Sequence, residues 1–152
     1  MAPASAPVDW SVTPAVRVDG HVAGRLVLEL AAGRPVRLVS APGIAGLAGA
    51  GWWAGLLRLW RTEATGPFLA LLDCTDLEGQ VLSALRAGVT DIVWQPRPDA
   101  ADGVAARLLS LATAHGARLH PPPVGVTEPC WRRNRAAPLR QYLSQCLDFA
   151  QM

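Results

Sequence analysis

Residues 68–94 read FLALLDCTDLEGQVLSALRAGVTDIVW: a short apolar run, an amphipathic segment and a second short apolar run. Each apolar run has the length and composition of a buried β-strand, and the segment between them has the length of a helix that stops at Gly88. Strand, helix and strand in this order are typical of a parallel βαβ unit. This region therefore predicts an α/β fold.

The same alternation continues on both sides of this unit. Glycine and proline separate the segments, as at Gly66-Pro67 and Gly116. The pattern predicts a small open parallel sheet of about four strands, flanked by helices. The predicted strands are Val36–Ser40, Phe68–Asp73, Asp91–Trp94 and Arg118–His120, and the predicted helices lie near 20–33, 44–61, 76–87 and 99–115.

The chain divides into four parts. Residues 1–19 are predicted to be an irregular N-terminal arm, and residues 20–120 form the α/β domain. Residues 121–137 are a connector rich in Pro and Arg, and its three initial prolines cannot pair as a central strand. Residues 138–152 are predicted to be an amphipathic helix, because Leu139, Tyr142, Leu143 and Cys146 recur at helical spacing.

The composition excludes several classes of function. The chain has 152 residues, of which 51% are hydrophobic and 17% charged, so it can bury a core. All of its basic residues other than histidine are arginine, and the absence of lysine excludes P-loop phosphate binding and Schiff-base catalysis. No catalytic residue and no cofactor are predicted.

Charge and cysteine content indicate where the protein works and what it binds. Residues 129–152 carry Arg132, Arg133, Arg135 and Arg140 against Asp148 alone, next to Trp131. This excess is small, so a solvated segment is the preferred interpretation over a nucleic-acid patch, and no specific nucleic-acid partner is predicted. The three cysteines show neither a metal-ligand spacing nor a disulfide framework, which favours a reducing cytoplasm and no bound metal.

A charge-free segment from Leu38 to Leu57 has the length of a membrane span. It contains Pro42 and several glycines, and it begins within a strand pattern, so a strand, a turn and a buried helix are predicted instead. The N-terminus also lacks the features of a secretory signal. No membrane span is predicted.

The helix predicted at 44–61 is apolar on all sides. Its small residues, such as Gly51 and Gly55, are expected to face the sheet, and its large residues face the other way. Those large residues predict an interface in a homo-oligomer or with a protein partner, with cover by the chain's own C-terminal helix as the alternative. The candidate interface residues are Trp53, Leu57, Trp60, Leu139, Tyr142, Leu143 and Cys146.

The carboxyl ends of the predicted strands define a candidate ligand-binding rim. The rim residues are Ser40, Gly43, Gly46, Asp73, Asp76, Gln95, Arg97 and His120. The turn from Ala41 to Gly46 matches two of the three glycines of a dinucleotide-binding loop, although a packing turn is the preferred interpretation. For Asp76, a helix-capping role with Thr75 and Glu78 is preferred over metal binding.

Residues 84–96, ALRAGVTDIVWQP, resemble the ALxAGAxDYLxKP signature of response-regulator receiver domains, and the resemblance extends over about residues 68–111. It implies a flavodoxin-like fold. The family's invariant lysine falls on Gln95 and its switch Ser/Thr falls on Asp73, and no Asp ends the strand Val36–Ser40. The resemblance therefore implies a degenerate receiver without phosphoacceptor chemistry.

Two functions follow from these observations. The first is a non-catalytic interaction or scaffold module that associates with itself through the candidate interface. The alternative is a small nucleotide- or phosphometabolite-binding protein or enzyme that uses Ser40–Gly46, Asp73, Arg97 and His120. Oligomerisation is expected under the first function, and ligand binding at the rim is expected under the second.

Overall fold

The computed structural model describes residues 7–129 and 136–149, with side chains in the last segment described for 140–148. Five strands form one parallel sheet, and they pair in the order in which they occur along the chain. The strands are β1 (Ala15–Val18), β2 (Val36–Ser40), β3 (Phe68–Asp73), β4 (Asp91–Val93) and β5 (Arg118–His120). The helices are α1 (His21–Ala31), α2 (Ala45–Ala48), α3 (Ala50–Glu63), α4 (Glu78–Arg86), α5 (Val104–Ala114) and α6 (Ala136–Phe149). The predicted α/β class is confirmed.

The order of the strands places the helices on one side of the sheet. Right-handed crossovers that always step in the same direction return to the same face each time. Val16, Leu38 and Ile92 point to this helical face and join the main core with side chains of the helices. Alternate residues such as Val39 and Leu71 point to the opposite face, which we call the open face.

This order lacks the reversal found in flavodoxin-like sheets, where the second strand lies outside the first and the order is 2-1-3-4-5. In this protein each strand from β2 to β5 lies next to the one that precedes it in the chain, always on the same side. A reversal is what creates the usual ligand crevice of open α/β sheets, because neighbouring connections then diverge. The five strands at residues 15–120 contain no such reversal.

Strand β1 is a correction to the predicted irregular arm at 1–19 and to the expected four strands. Ala15 to Val18 alternate between the two faces, and Val16 is completely buried. The strand is short and follows Pro14, so its local pattern is weak. Pairing with β2 supplies the order that its own sequence does not specify.

The predicted helix at 44–61 is two helices, because Gly49 has a positive φ of 80° and interrupts it. The expected orientation was also wrong. Gly51 and Leu47 face solvent, whereas Trp53, Leu57 and Trp60 are buried in the core of the same chain. The large side chains pack inward because they remove far more apolar surface from water than the small ones do.

Helix α6 packs on α1 within the chain. Leu143 and Leu147 are buried in the main core. Arg140 pairs with Glu29, and Asp148 pairs with Arg34, in both cases with an N–O distance of 2.9 Å. The C-terminal helix therefore packs mainly on α1.

Most of the candidate interface residues that the structure describes are buried in their own chain. Trp53, Leu57, Trp60 and Leu143 are covered by their own chain and leave little surface for a partner. Tyr142 is 45% exposed, and Cys146 is half-buried. The side chain of Leu139, and residues Trp131, Arg132, Arg133 and Arg135, lie outside the described part of the chain.

Residues 121–127, which we call the strap, connect β5 to the opposite edge of the sheet. Thr127 forms a parallel bridge with Val16 of β1, with backbone hydrogen bonds of 2.8 and 2.9 Å. Thr127 lies outside β1, so the strap crosses five strand spacings, about 24 Å, which seven nearly extended residues can span. The strap thus crosses the open face, and Val39, Leu71 and Val93 on that face are buried.

None of the helices at residues 7–129 and 136–149 is long and apolar enough to cross a membrane. The charge-free segment from Leu38 to Leu57 is divided among β2, α2 and α3.

Candidate functional site

The predicted rim forms at the carboxyl ends of β2 and β3, and hydrogen bonds close it. The hydroxyl oxygen of Ser40 accepts a hydrogen bond from the Asp73 amide at 2.9 Å and donates to the Ala41 carbonyl. The Gly43 amide donates to the Asp73 carbonyl, also at 2.9 Å. Ser40 and Gly43 therefore hold two strand ends together, which is a structural role.

The turn at residues 41–46 does not present the free amides that a phosphate needs. Besides Gly43, the amides of Ile44 and Gly46 donate to carbonyl groups inside the turn. A β-carbon at Gly46 would meet the side-chain amide of Gln80, so this glycine permits close packing on α4. The preferred prediction of a packing turn agrees with this geometry, since a phosphate loop relies on unoccupied N–H groups.

Four of the predicted rim residues line one shallow depression beyond β3 and β4. Its volume is about 470 Å³, and the lining residues from the prediction are Asp73, Asp76, Gln95 and Arg97. Arg97 approaches Glu78 at 4.0 Å. Within the described residues, no three His, Cys, Asp or Glu side chains are arranged to hold a metal ion.

The capping role predicted for Thr75, Asp76 and Glu78 is wrong. Helix α4 begins at Glu78 after Leu77, and no side chain caps its N-terminus. Thr75 instead has a positive φ of 54°, and its amide donates to the Asp73 carboxylate at 3.0 Å. The turn after β3 is held by Asp73, so the helix starts later than the local sequence indicates.

Arg17 is the residue of this region that the sequence analysis missed. Its guanidinium lies 3.4 Å from the Asp73 carboxylate and 2.9 Å from that of Glu128, and it donates to the Ser40 carbonyl. It thereby joins β1, β2, β3 and the segment after the strap. No local signal could find it, because β1 was not recognised and Glu128 is 111 residues away.

His120 lies apart from the rim depression, beside a buried carboxylate on the open face. Its Nε2 lies 2.9 Å from the Asp91 carboxylate, which also accepts a hydrogen bond from Thr90 and faces Arg118 at 3.7 Å. Burial tends to raise the pKa of Asp91, but the hydrogen bonds and the positive charges of His120 and Arg118 outweigh it and lower the pKa. Asp91 is therefore a charged anchor for β5.

We expect the variant Asp91→Asn to be less stable than the wild-type protein at neutral pH, by about 1–2 kcal/mol. A lowered pKa stabilises the fold above the ordinary Asp value, and this contribution disappears as pH falls through the lowered value. The difference between the two proteins should therefore shrink in acid. Urea unfolding across an acidic pH series measures it, with the exposed Asp19→Asn as control. A gap that persists unchanged in acid contradicts this prediction.

The Cys74 thiol follows β3 and is the next candidate reactive group. Burial, and secondarily the charge of Asp73, raise the pKa of the Cys74 thiol to about 12. A thiol reacts through its thiolate, so Cys74 is not a nucleophile at neutral pH. Cys74 and Cys146 are free thiols, and Cys130 lies outside the described residues.

Comparison of the chain with protein-family models, with curated proteins and with solved structures gives no match.

Proposed function

We propose that this protein is a non-catalytic interaction module that associates with a second copy of itself through α5. The observation that carries the proposal is Leu109, the middle residue of α5, whose side chain is 52% exposed. Only Leu108 and Ala112 of this apolar helix are buried. A helix that is apolar and largely uncovered at the edge of a domain is typical of an interface.

The surroundings of Leu109 favour close approach of another helix. Ala106 and Thr113 are exposed and occupy the same side of α5, three and four residues from Leu109. Beside them an apolar cleft of about 380 Å³ is lined by Trp94, Leu119 and Pro121, among others. Small side chains and an adjacent cleft allow two copies to pack without displacing their own cores.

The charges at the two ends of α5 select a second copy as the occupant. Exposed Asp99 and Asp102 precede the helix, and exposed His115 follows it. A two-fold axis at Leu109 pairs each residue with its counterpart in the other chain and sets the helices antiparallel. The acidic end of each copy then faces the basic end of the other.

Sedimentation equilibrium tests this proposal. We expect a dimer for the wild-type protein and a monomer for Leu109→Glu, because two buried carboxylates at the axis repel each other. The matched control is Leu59→Glu, which changes a leucine of similar exposure, 48%, on α3 and should remain a dimer. A wild-type protein that is monomeric at every concentration overturns the proposal, as does a dimeric Leu109→Glu.

Charge-reversal variants provide a second test of the proposed dimer. Asp102→Arg and His115→Glu should each weaken the homodimer, since the first places two basic side chains opposite one another and the second places two acidic ones. An equal mixture of the two variants should form a heterodimer, because one contact then joins Arg to Glu and the other keeps the wild-type pair of Asp and His. Failure of the mixture to associate more strongly than either variant alone contradicts the antiparallel arrangement. Circular dichroism verifies that each variant is folded.

We also propose that the protein derives from a receiver domain. The order β3, α4, β4 and α5 supports this origin, because the corresponding part of a receiver also alternates strands and helices in this way. Gln95 is exposed at the end of β4, and the buried Ser40 ends β2. These residues favour a role in binding over phosphoryl transfer.

The free thiols of Cys74 and Cys146 fit a reducing compartment.

A further inference from the structure

A groove runs along the open face between the strap and the segment that precedes β1. Its volume is about 360 Å³. The floor consists of residues from β2 and β3, and the walls are an indole and the proline-rich strap. The residues that matter here are Trp10, Arg37, Leu69, Leu71, His120 and Pro123.

Arg37 is the charged group of this groove. Its Nε donates to the Thr13 carbonyl at 2.9 Å, which fixes the side chain. Neither of its Nη atoms donates to a described residue, and burial lowers the pKa of this guanidinium. A charge that is partly removed from water is costly unless an opposite charge pairs with it. Arg37 therefore presents a fixed pair of N–H donors suited to an anion.

The rest of the groove is largely apolar. Leu69 and Leu71 form its floor, and the Trp10 indole and the Pro123 ring stand at its sides. His120 lies at another part of the wall, where its Nε2 is already bound to Asp91. Planar apolar groups pack well between such surfaces. The groove therefore suits a flat apolar body more than a sugar or another strongly hydrated group.

We propose that the open-face groove binds a small planar anion, a ring system that carries a carboxylate or a phosphate. The anionic oxygens accept hydrogen bonds from the Nη atoms of Arg37, in the end-on geometry that leaves Nε on Thr13. The ring lies over Leu69 beside Trp10. Arg37 and Leu69 of this groove line neither the rim depression nor the cleft beside α5, although Pro122 borders all three.

Isothermal titration with three probes tests the proposal: 2-naphthoate, 2-naphthyl phosphate and the neutral 2-naphthamide. We expect at least one anion to bind, and the amide to bind about tenfold more weakly or not at all, because it lacks the charge. Which anion binds more tightly distinguishes a carboxylate site from a phosphate site. Absence of binding by both anions overturns the proposal, and so does equal binding of the amide.

Variants locate the site. Arg37→Gln should weaken binding of the anion by about tenfold or more, whereas Arg86→Gln, an exposed arginine on α4, should leave it unchanged. Trp10→Ala removes a wall without touching the charge and should weaken binding of the anions. If Arg37→Gln does not fold, Arg37→Lys takes its place beside Trp10→Ala. Lys keeps the charge but loses the paired donors, so binding of the anion should still weaken. Unchanged affinity in Trp10→Ala contradicts this site.

Discussion

Gly24→Ala lowers the free energy of unfolding by about 3 kcal/mol, at the upper end of what overpacking costs. A β-carbon at residue 24 of α1 would overlap the Trp60 indole of α3. The ring cannot move aside easily, because Trp60 is completely buried. It packs edge-on against Trp53, with the ring centroids 5.2 Å apart, and its Nε1 donates a hydrogen bond of 3.2 Å to the His21 carbonyl. Urea denaturation measures the loss.

Two comparisons isolate the cause. Gly51→Ala places a methyl group in open space on the exposed side of the first turn of α3, so it should leave stability unchanged or raise it by up to about 0.5 kcal/mol. In a Trp60→Leu background the overlapping indole atoms are absent, and Gly24→Ala should then cost little. An equal loss with and without Trp60 contradicts the contact between α1 and α3.

Leu143→Ala should cost about 2–5 kcal/mol, because it removes a completely buried side chain where α6 joins the main core. Since Leu143 is covered by its own chain, the loss should not depend on protein concentration. Thermal or urea unfolding at several concentrations measures both properties. This prediction separates the stability of the monomer from the association proposed for α5.

The neighbouring residue supplies the control. Tyr142 is 45% exposed on the same helix, so Tyr142→Ala should change stability much less than Leu143→Ala. Similar losses for both variants, or a loss for Leu143→Ala that shrinks as concentration rises, indicate that α6 packs on another chain. That result contradicts the docking of α6 on α1.

Local patterns predicted most of the secondary structure. Strands β2, β3 and β5 have the predicted limits, and β4 is one residue shorter. Apolar runs bounded by Gly and Pro are strong local signals, since burial and turn geometry both act within a few residues. The break at Gly49 was missed because glycine occurs in helices as well as in turns, and only its positive φ shows which it is.

The candidate site was predicted less well than the fold. Ser40 and Asp73 do lie together at the carboxyl ends of neighbouring strands, as parallel pairing requires. Their hydrogen-bonding capacity is taken by the chain itself, which spacing alone does not reveal. His120 was assigned to the same rim, but its side chain points to the open face, toward Asp91.

Residue types and their spacing specify the alternation of strands and helices, the lack of lysine chemistry and the stiff proline exit after β5. The folded chain specifies which apolar faces remain uncovered. Trp53 and Trp60 are inside and Leu109 is outside, although all three belong to apolar helical segments. The reason is that periodicity defines the faces of a helix, whereas burial depends on which distant element packs there, such as Gly24 against Trp60 or Glu128 against Arg17.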